Sequence, residues 1–283
     1  MSTKALVLGG GGVAGIAWMT GLLLGLSEHG IELRAADRMI GTSAGATVAA
    51  QIAGAMSLAE LFARQVDPAL QTKELAPHPH LLKLLMASFP VLLKLNDPAE
   101  RTRRIGRLAL DASTPDEATR RAIIAERLPE HHWPDQPLTI VAVDTGTGEI
   151  RLFDRDSQVG LVDAVGASCA VPGIWPPVTI EGRRYMDGGI RSSDNADLAA
   201  GYARVVVISP LGAGSALHPG GGLADQVRIL ENAGTKVHVV VPDERSSSAI
   251  GGNPFASETR RPTAQAGHAQ GLAIASHVAG FRF

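Results

Sequence analysis

A chain of 283 residues, 45% hydrophobic and 19% charged, carries enough apolar material for one sizeable core. Its formal net charge of -2 leaves no basic footprint, which argues against nucleic acid as a partner. The single cysteine, Cys169, excludes an internal disulfide; no stretch reaches the roughly 18 apolar residues of a membrane span, and the first apolar run is too short for a signal-peptide core. The expectation is one domain over 1–283, soluble and cytoplasmic.

Residues 5–8 read as a buried first strand, followed by Gly9-Gly10-Gly11-Gly12-Val13-Ala14-Gly15 and a helix over 16–29 that stops at Gly30. Consecutive glycines leave their N–H groups sterically open, so the loop can aim several donors at one anionic point. Gly10-x-Gly12-x-x-Gly15 formally fits the dinucleotide fingerprint, but Glu28 and Glu32 fall beside the helix end, not at the end of a second strand where a ribose would need an acid. No Gly-Lys-Ser/Thr follows, which removes the P-loop. The competing reading makes the glycine amides an oxyanion hole, and a plain βα turn is the structural alternative.

The second strand, near 38–40, runs into Gly41-Thr42-Ser43-Ala44-Gly45 and then a helix of small residues to about Ala55. A G-x-S-x-G at a strand-to-helix turn is the nucleophile-elbow pattern, which pushes the serine Oγ out at the strand end beside a helix N-terminus. Ser43 is therefore the candidate nucleophile. Ser57 is placed to cap a helix over 58–66, which Asp67-Pro68 breaks.

Residues 68–113 are rich in proline, histidine and leucine, with apolar runs at 81–86 and 91–95. They suggest a helical, lid-like insertion over an apolar site or against a membrane surface, with ordinary helix packing as the alternative. The pairs His78/His80 and His131/His132 have no Cys or carboxylate at ligand spacing and read as solvated loops, so no metal and no cofactor is expected.

Thr114 followed by Pro115 and two acids predicts a helix start, running to about Leu128. A strand over 138–144 turns through 145–148 into a returning strand at 149–153, and 161–170 reads as a helix. A second hairpin over 178–186, turning at Glu181-Gly182, delivers Asp187 with Gly188 and Gly189 behind it. That carboxylate can approach another loop without obstruction. The apolar runs 203–209 and 236–241 suit interior strands of a parallel sheet, with a helix over 223–233 between them. A long loop over 243–263 and a helix over 264–278 close the chain.

Taken together, GGGG-V-A-G after the first strand, GTSAG after the second, and the stretch from Ala167-Ser168-Cys169-Ala170-Val171-Pro172-Gly173 through Pro176-Pro177 to Tyr185-Met186-Asp187-Gly188-Gly189 resemble the bacterial patatin-like phospholipases. The resemblance covers the first sixty or so residues and roughly 141–209. It implies a three-layer α/β/α sandwich with a mainly parallel central sheet, and acyl-ester hydrolysis by a serine-aspartate dyad on a lipid or acyl-ester substrate. It puts Ser43 in the nucleophile position, Asp187 in the base position, and Gly10, Gly11 and Gly12 in the oxyanion-hole positions. Transient contact with a membrane surface accompanies such a substrate.

One departure stands out: the family usually carries Arg or Lys two residues after the glycine run, where this chain has Ala14. The missing charge suggests a preference for neutral acyl esters unless another arginine, such as Arg183, Arg184 or Arg191, takes its place. An aspartate with an ordinary pKa of about 3.9 is a poor base for an alcohol, so the site should be desolvated enough to raise it. Two rival readings remain. One is a Ser-Asp-His triad drawing on His218, His238, His268 or His277, and the other is a non-catalytic nucleotide-binding or regulatory protein using the glycine loop.

Overall fold

The computed structural model describes residues 3–75, 97–212, 221–281 and 283. Within them an eight-stranded sheet runs in the order β5-β6-β3-β2-β1-β7-β8, with β4 beside β3. The strands are β1 (Lys4–Leu8), β2 (Arg38–Thr42), β3 (Leu138–Asp144), β4 (Ile150–Phe153), β5 (Val178–Ile180), β6 (Arg183–Asp187), β7 (Arg204–Ile208) and β8 (Lys236–Val240). Pairs β3–β2, β2–β1, β1–β7 and β7–β8 are parallel, whereas β4, β5 and β6 join through antiparallel ladders.

The near-continuous apolar runs arise because both faces of the interior strands are covered. In β1, Leu6 and Leu8 face one core while Ala5 and Val7 face the other; in β7, Val206 and Ile208 divide from Val205 and Val207 in the same way. The larger core packs under α1 (Gly12–Ser27), α2 (Ala44–Ile52), α3 (Leu58–Val66), α6 (Leu161–Ser168) and α9 (Arg260–Gly280). The opposite face is covered by α7 (Leu223–Asn232), through Leu223 and Leu230, and by α4 (Pro98–Asp111), whose Ile105 and Ala109 pack on Val143 and Met186. This is the three-layer α/β/α sandwich with a mainly parallel sheet.

Several boundaries differ from expectation for identifiable reasons. Helix α1 starts at Gly12, not near Ile16, because the fourth glycine already sits in its first turn. Asp116, not Thr114, caps α5 (Glu117–Arg127), accepting a bond from the Thr119 amide at 2.8 Å, so Pro115 precedes the cap. Within the expected 243–263 loop, Asp243 caps a short helix α8 (Glu244–Ile250), and α9 begins at Arg260. Ser57 does cap α3, in a reciprocal capping box with Glu60. The apolar runs at 81–86 and 91–95, with His78 and His80, lie outside the described residues. At the edges of that gap, α4 packs on the sheet, and Glu74 and Leu75 reach the site described below.

One feature of the register positions that site. β4 occupies one edge of β3 over 140–143, so β2, paired with 138–141, and β6, paired with 142–144, must share the other edge end to end. β2 runs out at Thr42 opposite Val141, and β6 runs towards it and ends at Asp187 opposite Ala142. The two carboxyl ends meet head-on.

Candidate active site

At the end of β2 the chain turns through Ser43 with φ 53° and ψ -116°, a conformation that costs a β-carbon-bearing residue about 1–3 kcal/mol. Its surroundings hold it there. The Ser43 amide donates to Ser168 Oγ at 2.9 Å, and the Ser43 carbonyl accepts from Cys169 Sγ at 3.2 Å and from the Ala46 amide at 3.0 Å. The flanking glycines are steric requirements: a Cβ on Gly45 would lie 1.9 Å from the Leu8 carbonyl oxygen, and one on Gly41 would lie 2.6 Å from Ala46 Cα. Both are therefore spacers that let α2 start against β1 and β2.

Ser43 Oγ donates to Asp187 Oδ2 at 2.7 Å, with both residues buried. The other carboxylate oxygen accepts from the Gly189 amide at 2.7 Å, and the Asp187 amide donates to the Ala170 carbonyl at 2.9 Å. The C-terminal end of α6 thus braces the serine through Ser168 and Cys169 and the aspartate through Ala170. Burial pushes the Asp187 carboxyl up to about 7, against the opposing pull of the Ser43 and Gly189 hydrogen bonds and the Arg120 charge. Asn195, in a left-handed conformation, donates from Nδ2 to Thr42 Oγ1 at 3.1 Å and to the Gly188 carbonyl at 3.2 Å, tying the ends of β2 and β6 together.

The glycine loop lies beside this pair, and its three expected donors are not equivalent. Gly10 is already committed, donating to the Ser193 carbonyl at 2.8 Å. The Gly11 and Gly12 amides have no hydrogen-bond partner among the described residues. Gly12 needs its glycine: φ is +61°, and a Cβ there would lie 2.6 Å from the Pro254 carbonyl oxygen. Ser43, Gly12, Val13 and Ala44 line one small cavity together with Glu74, Arg120, Arg127 and Trp175.

A profile for the patatin-like phospholipases matches residues 6–200. The chain belongs to the patatin-like phospholipase family. That membership makes it a lipid hydrolase by family and confirms the fold implied by the resemblance. The match spans β1 through the loop after β6, so β7, β8 and the helices α7 to α9 lie beyond it. Among solved structures, VipD from Legionella pneumophila aligns over 98% of this chain and 67% of its own, at 14% identity and a TM-score of 0.49. The type III effector protein ExoU aligns over 98% of this chain and 53% of its own, at 15% identity and a TM-score of 0.42. This chain therefore spans about half the length of ExoU.

In this family member the position usually held by Arg or Lys is Ala14, fully buried in the first turn of α1 with its amide bonded to the Pro254 carbonyl. None of the arginines expected to compensate lines the cavity. Arg183 pairs with Asp144 at 3.0 Å, Arg184 donates to the Pro177 carbonyl, and Arg191 pairs with Asp197 at 2.5 Å. The arginines that do line it, Arg120 and Arg127, were not foreseen. Their signal was present in the sequence: seven residues apart on α5, with Ile124 between, they occupy the buried stripe of that helix.

No histidine among the described residues bonds Ser43 or Asp187. His268 binds Glu28, and the His238 ring packs against His277 and Phe281; His218 lies outside the described residues. Also unforeseen were the roles of Ser168, Cys169 and Asn195. Ser168 and Cys169 stood in a quoted stretch, but nothing local marks a helix end as the brace for a turn 125 residues earlier.

Proposed function

We propose that the protein hydrolyses acyl esters of lipids, with Ser43 as nucleophile and Asp187 as its general base. The observation that carries this reading is the 2.7 Å bond from Ser43 Oγ to Asp187 Oδ2 between two buried side chains. A carboxyl pushed up to about 7 is matched to accepting the serine proton near neutral pH, where an ordinary aspartate would be too weak a base.

In the first step Oγ attacks the ester carbonyl carbon as its proton passes to Asp187 Oδ2, and the carbonyl oxygen takes up the negative charge. The Gly11 and Gly12 amides, both without a partner among the described residues, supply the oxyanion donors; Gly10, already bonded to Ser193, shapes the loop instead. Collapse of the tetrahedral intermediate expels the alcohol, which takes the proton from Asp187 and leaves an acyl-Ser43. Water, deprotonated by Asp187, then attacks the acyl-enzyme, and the carboxylic acid departs as Ser43 is regenerated. Gly189 holds Asp187 Oδ1, leaving Oδ2 directed at the serine throughout.

The lipid substrate of such a reaction would be met by transient contact with a lipid surface; no helix among the described residues is long and apolar enough to cross a membrane. A fluorophosphonate probe followed by peptide mass mapping tests the assignment. Labelling at Ser43 that disappears in Asp187→Asn is the expected result. Absence of labelling in the presence of lipid or detergent would overturn it.

A further inference from the structure

The part of the chain beyond the family profile reaches back to the serine. Residues 251–256 connect α8 to α9, and Pro254 and Phe255 within them pack on the glycine loop. The Pro254 carbonyl accepts from the Ala14 amide at 3.0 Å, which satisfies one of the donors that the first turn of α1 leaves without an intrahelical partner. The Phe255 ring reaches Gly12: a Cβ on that glycine would lie 3.3 Å from Phe255 Cδ1. Phe255 also lines the same cavity as Ser43, together with Val13 and Ile16 of α1 and Trp175.

The segment is a strap held at both ends. Ile250, closing α8, and Arg260, opening α9, are buried, whereas Gly251, Gly252 and Asn253 are exposed and Pro254, Phe255 and Ala256 are half-buried. Gly251 has φ +67°, and a Cβ on it or on Gly252 would meet nothing within 4 Å, so no packing fixes the outer side of the strap. Asn253 orders the turn that follows: its Oδ1 accepts from the Phe255 amide at 3.1 Å and its carbonyl from the Ala256 amide at 3.1 Å. Phe255 is thus aimed at the cavity by a local turn and one bond to α1, and it belongs to none of the hydrophobic cores on either face of the sheet.

We infer that Phe255 sets the length of acyl chain that the protein accepts, its ring forming with Val13 and Ile16 the wall against which the chain bound at Ser43 ends. This rests on the acyl-hydrolase reading above and adds a specificity to it. The carbonyl oxygen and the chain leave the same acyl carbon, so a ring that touches Gly12, a proposed oxyanion donor, stands within a few bonds of the chain. A hydrocarbon laid on Glu74, Arg120 or Arg127 would strip water from charges, whereas contact with Val13, Ile16 and Phe255 is favourable. The serine and its base come from the part of the chain that the family profile matches, and the wall that measures the substrate comes partly from outside it.

Two measurements separate this inference from the catalytic reading. The first compares kcat/KM for nitrophenyl butyrate and nitrophenyl dodecanoate, and for butyl and octyl acetate, in the unaltered protein, Phe255→Ala and Phe255→Trp. The dodecanoate-to-butyrate ratio should rise about tenfold or more in Phe255→Ala, because methylenes that the ring excludes gain a place out of water. It should fall in Phe255→Trp, which also covers the case in which Phe255→Ala does not fold. The octyl-to-butyl ratio, which varies the alcohol and keeps the acyl group, should move in neither. The second measures calorimetric binding of butyrate and dodecanoate to the same proteins and needs no turnover.

Opposite shifts of the acyl-chain ratio in Phe255→Ala and Phe255→Trp, in rate and in affinity, place the chain against the ring. If the octyl-to-butyl ratio moves instead, the ring faces the alcohol and the inference is overturned. If neither the rate ratios nor the affinity ratio moves, the inference is overturned even when Ser43 is labelled by the probe, and the catalytic reading stands. If no ester is hydrolysed and Ser43 is not labelled, but the affinity ratio still shifts with residue 255, the catalytic reading fails and the acyl-chain wall stands.

Discussion

The two halves of the sheet contribute to the site in opposite ways. The parallel half supplies the glycine loop after β1 and the Ser43 turn after β2, each built by residues adjacent in sequence. The antiparallel half supplies Asp187, which reaches Ser43 only because β4 fills one edge of β3 and forces β6 and β2 to meet along the other. The proposed nucleophile sits on a local turn, and its proposed base is placed by register. A local motif can be damaged by steric change at a single residue, whereas a register-placed carboxylate responds to its dielectric surroundings.

The largest effect expected is on the local half. Gly45→Ala would put a methyl group 1.9 Å from the Leu8 carbonyl oxygen and 2.8 Å from that of Gly9, and the obstacle is backbone that no rotamer change can move. A loss of about 3 kcal/mol or more is expected, read as a lowered denaturation midpoint or a failure to fold. A stability unchanged within error would mean that the turn is far more plastic than its packing indicates.

The register-placed half should announce itself through pH. With Asp187 pushed up to about 7, the ionised form needed to accept the serine proton is depleted below that pH. The kcat/KM should fall about tenfold per pH unit on the acid side and flatten above, provided chemistry limits the rate. A profile governed only by a group near pH 4 would sink the role given to burial.

A smaller, opposite-signed effect concerns stability. The folded Asp187 carboxyl holds its proton to higher pH than the unfolded chain, whose aspartates titrate near 3.9. Its contribution is fully present below the unfolded value and is lost as pH rises to about 7, where the buried charge must form. Asp187→Asn removes that cost, so it should be inactive yet more stable than the parent at pH 8 by about 1–3 kcal/mol, with the difference vanishing near pH 4. Equal stability at both pH values, measured by denaturant unfolding, would show that the aspartate is not desolvated in the folded protein.

What was legible in the chain follows the same division. Strand cores, the Ser57 cap, both hairpins and the G-x-S-x-G turn depend on neighbours within a few residues, and each was readable. The α5 cap and the extra helix α8 were missed because Asp116 and Asp243 compete with equally plausible turn residues nearby, and packing chooses between them. The missed braces on Ser43, Ser168 and Cys169, lie 125 and 126 residues away in sequence. The compensating arginines were sought near Asp187, at 183, 184 and 191. Those bond local carboxylates and carbonyls, whereas the arginines that line the cavity, Arg120 and Arg127, come from α5.

Short stretches of the sequence marked the strands, the glycine loop and the Ser43 turn, because hydrophobic period and steric demands for glycine are local properties, whereas the family, the order of layers and the pairing of Ser43 with Asp187 were implied by the resemblance to the patatin-like phospholipases. Only the tertiary structure decided which glycine amides remain uncommitted, how far the Asp187 carboxyl is raised, and that Phe255 lines the cavity beside the serine. Each of those depends on dielectric surroundings and on partners distant in the chain, and neither quantity is carried by any one segment.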